Sequence, residues 1–356
     1  MTRPLVLALL LTTSGCVRKT VDRFTTQHVV PTALRTGDVD RTCKIGEALG
    51  HPLAAVTKPE KPADQALIIA DAVAGICDQA RAAEAQVESV VVRTTVPAGP
   101  GRVAAVKDAQ AREQRFRQRT ALRFGSAWDR TNREFGELGT TAGSCPKVRS
   151  RDELTLLVGL VSGTVAMLND KASGGHNGVP LDTLSRVGRV APCLDDATWW
   201  HVPSALEASA WIVVPGSGPE GVDPWEKLKT AAEQGGASGV RIGWALYAEV
   251  AGNAGEEARV REAIEGFARS ERDVVRDPDH AMLDAYARDI TLHQSDLIWA
   301  AERGHRTLDF GTLPVDASAP EPVIDDPFAE DPFGAQPAEP QEGEAPEAPA
   351  PTEAPE

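Results

Sequence analysis

Thiols are the groups whose placement most limits the chemistry open to this chain. Of its five cysteines, Cys16 stands at the end of a short export signal. Arg3 and the amino terminus supply positive charge, and Leu5 to Leu11 form an apolar run too short to span a bilayer. Ser14 and Gly15 then leave the backbone open to a processing enzyme. The other four, Cys43, Cys77, Cys145 and Cys193, are an even set in an exported chain, which suits two disulfides. Three connectivities exist for them. The sequential one, Cys43 with Cys77 and Cys145 with Cys193, closes two loops the size of a helix pair. No two cysteines have the close spacing of a redox dithiol or a zinc site, so no metal is expected on them.

Other catalytic arrangements are missing. His176, His201, His280 and His293 are scattered, with no His-Glu-x-x-His among them. The glycines around Gly174 and Gly216 lack the Lys-Ser/Thr of a phosphate loop and read as turns. Ser204 and Ser209 do not sit in a Gly-x-Ser-x-Gly elbow. Asp195-Asp196 reads as an acidic helix start. The reading is a protein that is not an enzyme and needs no cofactor.

Aromatic placement is more informative. Trp199, Trp200, Trp211, Trp225, Trp244, Tyr247 and Trp299 all fall in the second half of a chain only 5% aromatic. Such residues serve either as core wedges or as the lining of an apolar cavity between helices. For the second role the candidates are Trp199, Trp200, Trp211, Trp244 and Tyr247, around a small lipophilic solute.

The elements that must position these groups are helices. Apolar residues recur at helical spacing from Pro62 onward, through Leu67, Ala70, Val73, Ala74, Cys77 and Ala80. A short helix is expected over Asp38 to Leu49, broken by Gly50 and Pro52. Val90-Val91-Val92 is the best strand candidate. A long helix over Val103 to Leu138 carries seven arginines interleaved with Asp108, Glu113, Asp129, Glu134 and Glu137. That pattern is a solvated, ion-paired face rather than a nucleic-acid surface. Ser150-x-x-Glu153 has the form of a capping box, and Asp223-Pro224-Trp225-Glu226 that of a helix start. Gly235-Gly236 is expected to stop the helix that follows it. Further helices are expected over Pro180 to Val190, Ala197 to Val213, Val240 to Val250, Glu256 to Ala268 and Asp279 to Ala301. No segment after the signal approaches the length of apolar residues that a membrane span requires.

The chain carries a formal charge of −15, and much of it lies in the tail, where Pro314 to Glu356 hold twelve Asp and Glu, eleven prolines and no Lys or Arg. Such a segment cannot bury enough apolar surface to order itself, although its two Asp-Pro-Phe units, at Asp326 and Asp331, could dock a partner. The organisation expected is a signal over 1–15, a helical body over 16–312 and a disordered acidic tail over 313–356. The fold class is all-α, with antiparallel helix pairs stacked as degenerate tetratricopeptide-like repeats.

Two resemblances add to this. Residues 1–16 resemble a bacterial lipoprotein signal with its lipobox, which implies diacylglyceryl attachment and acylation at Cys16 and tethering to the cell envelope. Two or three acyl chains anchor stably where one does not. Val17, rather than an Asp, follows the cysteine, which favours the periplasmic face of the outer membrane. The stretch Ala237-Ser-Gly-Val-Arg-Ile-Gly-Trp-Ala-Leu-Tyr-Ala-Glu-Val-Ala-Gly252 is similar to the T-component lipoproteins associated with TRAP transporters. The helix over Glu256 to Arg269, the long helix after Pro278 and the Asp223 to Leu228 helix start match in style. The resemblance covers about Glu153 to Trp299. It implies an all-helical, periplasmic repeat protein that pairs with a solute-binding protein handling small organic acids or apolar ligands, with self-association a further option. The rival reading is an envelope scaffold with no small-molecule ligand, whose aromatics are all core.

Overall fold

The computed structural model describes residues 17–57 and 60–314. Cys16, the signal and nearly all of the acidic tail, including both Asp-Pro-Phe units, lie outside the described residues. Within them the chain is all-helical, with no strand.

Residues 17–24 form α1, which passes through a π-helical turn at Thr25–Val29 into α2 (Val30–Leu34). Pro31 has no N–H to donate into a regular turn, and a widened turn before it accommodates that loss. Then come α3 (Val39–Ala55), α4 (Asp64–Thr95), α5 (Pro100–Phe135), α6 (Glu153–Ala172) and α7 (Thr183–Val190). The series ends with α8 (Val202–Val213), α9 (Pro224–Ala237), α10 (Ile242–Ala254), α11 (Glu257–Asp273) and α12 (Ala281–Arg303). From α3 on, most helices pack against the next in sequence, and α12 returns to lie on α4 and α10.

Several local expectations are corrected. α3 continues through Gly50 and Pro52 to Ala55. Pro52 falls in the last turn, where the bond it cannot make is one of few lost and Gly50 meets no neighbour that would force a break. Val90-Val91-Val92 is not a strand but the end of α4. The helix is already propagating when it reaches these β-branched residues, and adding a residue to a formed helix costs far less than starting a new element. Ser150 does not build a capping box: Ser150–Asp152 is a 3₁₀ turn, and α6 begins at Glu153 without a side-chain cap. Gly235-Gly236 does not stop α9, which runs to Ala237. Gly235 instead permits close approach, since a Cβ there would lie 2.4 Å from the Trp200 carbonyl oxygen. Asp223 does cap α9, its Oδ1 accepting from the Trp225 N–H at 2.8 Å with Pro224 at the first helical position.

On length and composition alone one segment among the described residues, Ser150–Ala172, is apolar enough to cross a membrane, which the sequence reading had not allowed for. It is 72% buried within the fold, as a core helix is. α6 packs so tightly on α5 that a Cβ at Gly159 would fall 2.1 Å from Thr131 Oγ1. Gly159→Ala is therefore expected to destabilise the fold by about 1–3 kcal/mol, as overpacking does. A denaturant midpoint unchanged from wild type would show that the contact relaxes freely.

Arg112, Arg117, Arg119, Arg123, Arg130 and Arg133 of α5 are ion-paired, and many of their partners sit on the neighbouring helix. Asp78 of α4 is fully buried and lies 3.2 Å from Arg123 and 3.5 Å from Arg119. Asp64 meets Arg133 at 3.0 Å, and Asp71 meets Arg130 at 2.7 Å. The N-terminus of α4 has no cap of its own; Asp22 of α1 accepts from Ala66 N at 3.1 Å. Burial pushes the Asp22 carboxyl up to about 6 against the pull of that hydrogen bond.

The disulfides are Cys43–Cys77, joining α3 to α4, and Cys145–Cys193, joining the loop after α5 to the turn after α7. Their Cα atoms are 5.4 and 5.5 Å apart, well within bridging distance.

Candidate functional site

A cavity of about 110 Å³ lies among α2, α4, α6 and α12, beside the Cys43–Cys77 bridge. Ile76, Leu157, Val161, Met282 and Tyr286 represent the side chains that wall it, with Trp200 closing one side. Two lining residues carry hydroxyls, and both are committed elsewhere. Ser162 Oγ donates to the Val158 carbonyl at 2.7 Å, and the Tyr286 hydroxyl donates to Gln79 Oε1 at 2.6 Å. Burial, with the nearby Glu249 carboxylate, raises the Tyr286 phenol above its ordinary range, so it stays a neutral donor. A hollow of this kind offers water no partners and accepts apolar matter instead; an engineered cavity of ~150 Å³ stays dry and binds benzene.

Trp200 is held in the wall by an unusual turn. Trp200 and His201 both adopt left-handed backbone conformations, at φ 51° and 57°. For residues with a Cβ each costs on the order of 1–2 kcal/mol. Asp196 holds the turn: its carbonyl accepts from His201 N at 2.8 Å, and its carboxylate accepts from Ser204 N at 2.9 Å and from Ser204 Oγ. The Trp200 ring packs edge-on against His280, with centroids 4.4 Å apart. Backbone strain over-determined in this way is characteristic of functional sites.

Of the five aromatic candidates, Trp200 alone contributes to this cavity. Trp199 donates its indole N–H to Glu153 Oε2 at 3.1 Å. Trp211 lies under the Lys227 ammonium, 5.1 Å from its ring. Trp244 and Tyr247 stack 6.1 Å apart and are buried among α9, α10 and α11. The Tyr247 hydroxyl donates to Glu262 and accepts from Arg259; burial and the Glu262 carboxylate push its phenol up to about 12. Sequence reasoning missed most of the wall, including Phe124, Leu157, Met282 and Tyr286. They come from helices far apart in the chain, and no local pattern distinguishes them from other core positions.

Comparison with protein-family models, with curated proteins and with solved structures found no match. The site is therefore read from its own chemistry.

Proposed function

We propose that this chain is an envelope-tethered binding lipoprotein, anchored through Cys16, whose helices form degenerate antiparallel tetratricopeptide-like repeats. It binds the apolar part of a small lipophilic ligand in the cavity beside Trp200. Its role is accessory to TRAP-type solute uptake, with a periplasmic solute-binding protein as partner; that part rests on the resemblance of residues 153–299. The observation that carries the ligand reading is the cavity itself, with both its hydroxyls already bonded and its tryptophan held by a strained turn. Two disulfides across the helical body support export.

The test is direct. n-Octanol is expected to bind purified protein saturably and to raise its melting temperature, as any ligand selective for the folded state does. Val158→Phe, which places a ring in the cavity, is expected to abolish that response while leaving the helical circular dichroism intact. If wild-type protein shows no saturable octanol binding, the rival scaffold reading is the better one.

A further inference from the structure

The apolar cavity is one end of a series of hollows. A second cleft of about 110 Å³ is walled by polar groups from four helices: Gln79 and Gln86 of α4, Arg117 of α5, Glu249 of α10, and His293 and Gln294 of α12. Between the two lies a hollow of about 40 Å³. Gln79 and Glu249 line this hollow and the polar cleft, whereas Val161, Ile242 and Tyr286 line this hollow and the apolar cavity. The path thus runs from polar to apolar, with the Tyr286–Gln79 hydrogen bond at the change.

The charges of the polar end do not cancel. Arg117 donates to Glu113 at 2.7 Å, to Asn169 Oδ1 at 3.3 Å and to Gln86 Oε1 at 2.8 Å. Arg306, the other cation felt in the cleft, pairs with Glu84 at 2.8 Å. Each arginine has its own carboxylate. Glu249 does not have a cation: its Oε1 accepts from Asn253 Nδ2 at 3.3 Å, and no described Lys, Arg or His reaches ion-pair distance. One negative charge is left over.

The hydrogen-bonding pattern points the same way. A guanidinium only donates, so Gln86 must turn its oxygen toward Arg117. That oxygen is also 3.0 Å from His293 Nε2, which must therefore carry the ring hydrogen. Nδ1 is then a bare acceptor with no partner among the described residues. Burial, then Arg117 and Arg306, pull the His293 pKa down to about 3, so the ring stays neutral. Gln294 is only 9% exposed and its carboxamide makes no hydrogen bond with the described chain. It sits against Gly252, where a Cβ would lie 2.7 Å from its Oε1. A carboxylate, an imidazole lone pair and an unpartnered amide together complement a cation rich in N–H groups.

We propose that the three hollows form one amphiphile site, whose polar end takes a primary ammonium head group and whose apolar end takes the alkyl chain. This rests on the reading of the apolar cavity as a ligand site and adds the chemistry of the head. A carboxylate head would meet Glu249 with like charge and nothing free to neutralise it.

Isothermal titration of the mature full-length protein with n-decylammonium, n-decanol and n-decanoate, each below its aggregation concentration, separates the two claims. Decylammonium is expected to bind at least tenfold more tightly than decanol, and decanoate most weakly. Glu249→Gln is expected to remove that tenfold advantage, so that the variant binds decylammonium and decanol alike. Gly252→Ala, which displaces the Gln294 amide, should weaken decylammonium selectively. Equal binding of decanol and decylammonium, or preference for decanoate, overturns the head-group assignment while the cavity reading stands. If none of the three binds, both readings fall.

Discussion

Asp284→Ala is expected to cost about 3–5 kcal/mol of folding stability, the usual penalty for stranding one member of a buried ion pair. Arg241 and Asp284 have side chains only 1% and 5% exposed, and their charged atoms lie 2.8 Å apart. The guanidinium also donates to Ser270 Oγ at 3.0 Å and to the Ser270 and Val274 carbonyls. Asp284 Oδ1 in turn accepts from the Arg241 backbone N–H at 3.1 Å, at the entry to α10. One pair therefore fixes the start of α10, the end of α11 and the first turn of α12. Removing the carboxylate leaves the buried guanidinium without its paired anion. Urea denaturation of the single variant measures the loss. The double variant Arg241→Met/Asp284→Leu should recover much of it, because two apolar groups leave no charge stranded. If Asp284→Ala alone loses under 1 kcal/mol, the pair is not the clamp its geometry describes.

Removing the disulfides is expected to have an effect of similar size. Cys43–Cys77 spans 34 residues and Cys145–Cys193 spans 48. On the chain-entropy account, loops of that length stabilise by about 4 kcal/mol each, mostly by restricting the unfolded chain. The first bridge deserves the closer test, because Ile76 and Ala72 of the cavity wall share a cluster with Cys43 and Cys77. Cys43→Ala/Cys77→Ala should lower the melting temperature and weaken octanol binding together. Cys145→Ala/Cys193→Ala should lower the melting temperature and leave octanol binding of the folded fraction intact. Calorimetry with and without a reductant, followed by octanol titration, reads both quantities. Identical melting curves under reducing and oxidising conditions would remove the claim.

The helices could be read from the sequence where the signal was local. Asp223 and Pro224 start α9 as their chemistry requires, and Asp108–Arg112 and Glu113–Arg117 pair across one helical turn. Local signals misled where a helix was already formed, as at Val90 and at Gly50. Arg119 and Arg123 were not legible as partners of Asp78, since they reach it only after α4 and α5 pack, unlike Arg81 one helical turn away. The candidate site shows the same limit. Trp200 stood out as an aromatic in a chain with few, but Tyr286 and Met282 become wall residues only when α12 returns to α4. His293 carries no motif, and its tautomer is set by an arginine 176 positions away through a shared glutamine.

The π-helical turn at Thr25–Val29 has a geometric consequence. In an ordinary helix each residue advances the azimuth by about 100°, so Asp22 and Val30, eight positions apart, would point some 80° away from each other. A π bulge absorbs one residue. The interval becomes about seven α-helical steps, two full revolutions to within roughly 20°. Asp22 can then cap α4 through Ala66 while Val30 enters the apolar cavity from the same side. The wide turn acts as a phase corrector, bringing a polar anchor and an apolar wall into register along one helix.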